Sequence, residues 1–272
     1  MYSVTTDYVK STGSPAPYLR RIAEAGFSHV HWCHQWNTDF LYSDSEIEQI
    51  GKWLQEYELQ LTDLHGSEGM EKCWFSPQEY RRLAGIELVK NRIKMAARLD
   101  SDVIVMHVDA EPRQVAANER FWAQLQKSLD ELEPYASAHG VRIAIECLII
   151  DNFDTIEKIV ARYGPDYIGL CYDSGHANIG GDRMDRLEPL KDRLLAVHLH
   201  DNDGASDQHN LPFDGTIDWS RLARLIAESS YAKCVNLEVK IHNTGIEEES
   251  IFLQKAFETG TTLTSMIEKY RT

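Results

Sequence analysis

Alternation is the feature that most restricts this chain. Eight short apolar runs, each followed by a stretch of helical period, succeed one another along 272 residues. The runs are Tyr2–Thr6, Ser28–Trp32, Leu59–His65, Val103–Val108, Val141–Cys147, Tyr167–Asp173, Leu194–Asp201 and Cys234–Lys240. They are rich in β-branched residues and almost continuously hydrophobic, as parallel strands covered on both faces must be. The helical stretches are Pro15–Ala25, Asp44–Tyr57, Pro77–Leu99, Val115–His139, Asp154–Tyr163, Arg183–Leu190, Asp218–Ser229 and Glu247–Tyr270. Gly26, Gly140 and Gly164 stand just past three of their ends. Eight β/α units predict a closed (β/α)8 barrel, a single domain over residues 1–272, rather than an open sheet. An open nucleotide-binding sheet would carry GxGxxG after its first strand; here that turn reads DYVKSTGSP.

In such a barrel the C-terminal strand ends form the working face, and here those ends are polar. His65 closes the third run, His107 the fourth, Glu146 the fifth and Asp173 the sixth, with His176 three residues on. The seventh run ends AVHLHDND, with His198 and His200, and Asp207 and His209 follow in its loop. The eighth ends in Glu238 and Lys240. Alternation puts His198 and His200 on one face of their strand, and Glu238 and Lys240 on one face of theirs. Taken singly, each is an ordinary strand-end residue, a loop hydrogen bonder or a helix cap. Together they would bury several carboxylates in one mouth, which is costly unless a cation compensates them. Mixed imidazole and carboxylate donors suit Zn, Mn or Co, and carboxylate-rich sites also admit Mg. Trp32, Trp36 and Phe40 follow the second run; an aromatic wall there, led by Trp32, could stack on a sugar face. His31 and His34 flank it. His139 fits a helix C-terminus, and His29 and His242 have no evident convergent partner.

The formal net charge is −15 and no basic stripe is visible, which argues against a nucleic-acid partner. Five cysteines without a CxxC pair read as thiols in a reducing compartment. With no apolar run of spanning length and no signal pattern at the start, the expectation is a cytoplasmic protein without a membrane partner.

The segments IAIEC, CYDSGHANIGG, AVHLHDNDGASDQHNLPFDGTIDW and NLEVK resemble those of the xylose isomerase-like TIM barrels. That superfamily holds sugar and sugar-phosphate isomerases and epimerases, inosose-type enzymes and the endonuclease IV repair enzymes. The resemblance runs over nearly the whole chain. It implies one divalent ion held by Glu146, Asp173, His198 and Glu238, with His200 the rival third ligand. It implies that His176 contacts substrate or a further metal. The three-zinc set of the repair enzymes finds a candidate for every place in His65, His107, Glu146, Asp173, His176, His198, Asp207, His209 and Glu238. The chain departs from those enzymes where His107 precedes Val-Asp-Ala and where PFDG stands in the seventh loop. DNDG stands where the ketohexose epimerases carry an Arg.

The expected activity is therefore isomerisation or epimerisation of a sugar, sugar phosphate or cyclitol through a metal-stabilised enediolate, with Glu146 and Glu238 as the proton-transfer groups. His65, His107, His176, Lys240 and Trp32 are candidate substrate contacts. A dehydratase or lyase using the same intermediate, a zinc phosphodiesterase and a non-catalytic sugar binder are the alternatives. Relatives of this kind commonly form dimers or tetramers, so a homo-oligomer fits the resemblance. Substrate specificity is expected to lie in the loops 32–42 and 66–77.

Overall fold

The computed structural model describes residues 1–271 apart from 11, 12, 68, 70 and 182. Eight parallel strands appear where the apolar runs lie: β1 (Tyr2–Thr5), β2 (His29–Trp32), β3 (Gln60–His65), β4 (Val103–Met106), β5 (Arg142–Glu146), β6 (Ile168–Asp173), β7 (Leu194–His198) and β8 (Val235–Leu237). They pair in the order β7-β6-β5-β4-β3-β2-β1-β8. A parallel bridge between Leu199 and Leu237 joins the two ends of that ladder, so the sheet closes into the expected barrel. The closing hydrogen bonds, Leu199 N–H to Asn236 O and Glu238 N–H to Leu199 O, fall between His198 and His200.

The helices are α1 (Ala16–Glu24), α2 (Asp44–Glu56), α3 (Glu79–Arg98), α4 (Val115–Ala138), α5 (Phe153–Arg162), α6 (Ser174–Asn178), α7 (Met184–Leu187), α8 (Trp219–Ala227) and α9 (Glu249–Tyr270). Ser43 and Glu46 form a reciprocal capping box on α2, and Asp218 caps α8. Three expected elements are cut short. The stretch Arg183–Leu190 is one turn, α7, running into a 3₁₀ segment through Arg193. The regular strands of the seventh and eighth runs end at His198 and Leu237, and the pairing continues only through the Leu199–Leu237 bridge and its flanking hydrogen bonds.

The alternation of each strand divides the apolar residues in two. Ile104, Met106, Ile143, Ile145, Leu170, Tyr172 and Val197 belong to the large core between sheet and helices. Val103, Val105, Ala144, Cys171 and Ala196 form a separate, smaller apolar cluster. Two residues further along the same strand faces stand His107, Glu146, Asp173 and His198. The barrel interior is thus apolar and small below, polar above.

No disulfide joins the five cysteines in the described structure. No described helix is long and apolar enough to cross a membrane.

Candidate metal centre

One ligand atom each from Glu146, Asp173, His198 and Glu238 lies within 4.8 Å of the others. They come from the ends of four different strands, and all four side chains are buried. Glu146 is the hub. Its Oε2 lies 3.1 Å from His107 Nε2 and 3.4 Å from His65 Nε2; its Oε1 lies 3.2 Å from His198 Nδ1 and 3.4 Å from His176 Nδ1. Glu238 Oε2 approaches His198 Nδ1 to 2.8 Å without hydrogen-bond alignment. Asp173 caps α6 by accepting the His176 N–H at 2.7 Å, and also lies 3.0 Å from His200 Nε2. The cap and the ligand candidate are therefore the same carboxylate.

Two further groups flank this one. His65, His107 and Glu146 form one; His176, His200, Asp207 and His209 form the other. In the second group His209 Nε2 lies 3.0 Å, His176 Nε2 3.6 Å and His200 Nε2 3.9 Å from Asp207 oxygens. Three imidazoles are locked for this geometry. Nδ1 of His65, His176 and His209 donates to the carbonyls of Gly66, Cys147 and Glu238, at 3.0, 3.1 and 2.7 Å. A carbonyl only accepts, so in the neutral ring the lone pair sits on Nε2, facing the carboxylates. This is how imidazoles are oriented for a metal. The backbone of His209 is left-handed, φ 49°, a conformation a residue with a side chain rarely adopts. Gly175 belongs to the same construction: a Cβ there would collide with the His200 ring.

Electrostatics point the same way. Burial would push the Glu146 and Glu238 carboxyls up, but the imidazoles beside them, His198 and His107 for Glu146 and His198 and His209 for Glu238, together hold both well below the ordinary carboxylate range. Burial would lower His198; Cys171, Glu238 and Glu146 lift it well above the usual value instead. His176 rises to about 10, with Asp173, Asp207 and Glu146 outweighing its burial. Four carboxylates demand positive charge here, whether from protons on the rings or from a divalent cation. Asp207 Oδ1 and Glu238 Oε2 are buried without a hydrogen-bond partner, whereas the unpartnered His198 Nε2 and His200 Nδ1 are not the ring nitrogens that meet the carboxylates. Such orphaned atoms and this N/O donor set fit a divalent transition metal.

Some expected contacts lie elsewhere. Trp32 is not a wall of the mouth: it is 1% exposed, and its Nε1 donates to Tyr42 Oη at 3.2 Å. Trp36 takes that place, its ring 4.4 Å from that of His65 and 5.4 Å from that of His107. Lys240 lines a cleft beside the mouth, its Nζ 3.7 Å from Asp7. His200 and Asp201 are fully buried; Asp201 accepts from Trp219 Nε1 at 2.7 Å and from the backbone of Asn202, Phe213 and Ile217, and so shapes the loop after β7. His34 is held by Gly13 O and Tyr42 Oη, and His139 by Tyr135 O at its helix end. In the loop 66–77, residues 68 and 70 lie outside the described residues.

A buried pair was missed. His31 Nδ1 and Asp63 Oδ1 meet at 2.5 Å beneath the centre, and the His31 ring lies 4.4 Å from that of His198. The signal was present in LTDLHG: Asp63 shares the inward face of β3 with His65.

A family profile described as xylose isomerase-like TIM barrel matches residues 19–256, and the chain belongs to that family. The uncharacterized protein y4fM of Sinorhizobium fredii is 33% identical over 93% of this chain and 89% of its own length. Inosose dehydratase of Bacillus velezensis is 23% identical over 70% of this chain and 68% of that protein. Among solved structures, a D-tagatose 3-epimerase-like protein superposes with a TM-score of 0.78 at 20% identity, covering 98% of both chains. The IOLI protein, solved with a bound zinc atom, superposes at 0.73 and 15% identity over 99% of this chain and 98% of that one.

Proposed function

We propose that this protein is a divalent-metal-dependent isomerase or epimerase of a sugar, sugar phosphate or cyclitol. The observation that carries the reading is the convergence of Glu146, Asp173, His198 and Glu238 within 4.8 Å of one another. When bound, the ion would polarise a carbonyl and an adjacent hydroxyl of the substrate. Asp173 and His198 serve mainly to hold it. Glu238, whose Oε2 has no hydrogen-bond partner, removes a proton from the carbon beside the carbonyl. Glu146, approached by four imidazoles, returns one to the opposite face or to the adjacent carbon. His176 and His107 position substrate oxygens, and Trp36 offers a ring face beside His65. The epimerase-like neighbour and the zinc-bearing IOLI structure support this reading. The inosose dehydratase relatives support a variant in which the same proton removal is followed by loss of water.

A second reading has an observation of its own. The two flanking ligand groups complete the set that a three-ion phosphodiesterase of the repair kind would need. Metal counting on the full chain, joined to a panel of ketoses, aldoses, inososes and their phosphates, tests both. One ion per chain and a sugar interconversion abolished by chelator are expected. Three ions with nicking of abasic DNA and no sugar turnover would replace the first reading with the second.

A further inference from the structure

Beside the centre lies an open cleft of about 670 Å³, bounded in part by Lys10, His34, Trp36, Asn37, Lys240 and His242. Two of its lining residues adjoin the metal centre. Trp36 lines it and lies against His65. Lys240 stands two residues beyond Glu238 with an extended backbone, φ −128°, ψ 135°. Two residues of extended chain span about 6.6 Å.

The charges of this cleft oppose those of the molecule. The chain carries −15, yet the lining of the cleft gathers two lysines and two histidines with one carboxylate, Asp7, while Glu238 and Asp207 also act on Lys240 from the metal centre. The His34 ring is already engaged at both nitrogens. Asp7 accepts from the Thr5 hydroxyl and stands 3.7 Å from Lys240 Nζ, beyond hydrogen-bond distance. Lys240 is 23% exposed at its side chain, and no described residue accepts a hydrogen bond from its ammonium. The Lys240 side chain thus lines the cleft with Asp7 as its nearest charged neighbour. An acidic surface repels anions at long range, so an anionic substrate reaching this mouth needs the two lysines of the cleft.

We propose that this cleft is an oxyanion subsite, in which Lys240, assisted by Lys10, binds the phosphate or carboxylate end of a substrate whose carbonyl end lies at Glu146 and Glu238. The inference rests on the metal-dependent sugar reading above, and narrows its substrate class to an anionic sugar or polyol a few carbons long. A monoester phosphate and a carboxylate share the chemistry; the spacing accommodates either.

Inorganic phosphate and acetate are titrated calorimetrically into the full chain, metal-loaded and after chelation. Phosphate binds in both states, at least tenfold more weakly to Lys240→Met and within threefold of wild type to Lys240→Arg. The surface variant Lys10→Met weakens binding by a smaller factor. Acetate binding of similar strength assigns a carboxylate; binding of phosphate alone assigns a phosphate monoester. The subsite is overturned if phosphate does not bind, if its binding disappears with the metal, or if both lysine variants bind it as wild type does. Metal content is measured on the same samples. An unaltered metal content with no phosphate effect refutes the subsite alone, whereas wild-type protein that takes up no metal refutes the functional reading beneath it.

Discussion

Two charge clusters in this molecule are built from similar residues and behave differently. On the helical layer, Arg82 of α3 is 1% exposed, and every guanidinium nitrogen is used. Nε and Nη2 donate to Glu79, Nη1 to Ser128, and Nη1 and Nη2 to Glu131, at 2.9–3.2 Å. Its carboxylate partners reach water, and Lys127 adds a second cation on Glu79. At the barrel mouth Glu146, Asp173 and Glu238 are buried and Asp207 is half-buried, the cations are imidazoles, and His198, His200, Asp207 and Glu238 each keep an atom without a partner. A cluster that serves packing closes its hydrogen bonds internally. One that serves a ligand leaves them open, at a cost in stability the rest of the fold must offset.

The largest test of that contrast is turnover. Glu146→Gln and Glu238→Gln keep the side-chain shape and remove the base, so each should lower kcat by about 10³-fold, with the fold retained by circular dichroism. Arg82→Met, equally buried, should leave kcat per folded molecule unchanged. Steady-state kinetics on the true substrate compare the three. If Glu238→Gln turns over at the wild-type rate, the proton-transfer assignment fails.

Stability should separate the clusters in the other direction. Asp201 belongs to the closed kind although it lies at the mouth. Asp201→Ala strands the buried Trp219 Nε1–H and backbone N–H groups of its loop, a loss of about 3 kcal/mol in urea unfolding. Arg82→Met frees carboxylates that already reach water and should cost about 1 kcal/mol. An inverted order would mean that Asp201 is held open for a ligand.

The barrel and its main carboxylates were readable in sequence for one reason. A strand buried on both faces must be apolar, so Glu146 at the end of IAIE and His198 at the end of LLAVH stand out against their own strands. What escaped were residues whose role depends on the neighbour across space. Asp63 looks like any strand-end acid until His31 is placed opposite it by the β2–β3 pairing, where the two face each other in register. Trp32 and Trp36 are indistinguishable as letters. The turn from Cys33 to Trp36, with Gln35 at φ 60°, leaves the first ring in the core and carries the second to the histidines. Loop geometry of that kind follows from a few backbone torsions, and no hydrophobic periodicity records them.

The smallest expected effect concerns protons, and it places the two clusters at opposite ends of the pH scale. Arg82 and Lys127 hold the exposed Glu79 carboxyl down to about 2. Its favourable contribution is therefore present above the unfolded value near 4.5 and is lost as pH falls through about 2. His176 is the reverse. Its folded value in the metal-free protein lies near 10, above 6.5 unfolded. Its contribution is complete below about 6.5 and is lost as pH rises through about 10. At pH 7 the His176 ring therefore carries a proton on Nε2, the nitrogen facing Asp207, and in the three-ion reading a metal taken by that nitrogen must expel it. Affinity in the flanking group should rise about tenfold per pH unit between 7 and 9 for each proton displaced. Calorimetry in two buffers of different ionisation enthalpy counts those protons. Metal uptake by wild type that releases none, or releases as many in His176→Asn, would mean that His176 is already neutral or not a ligand, and that the mouth differs from the helical cluster in geometry alone.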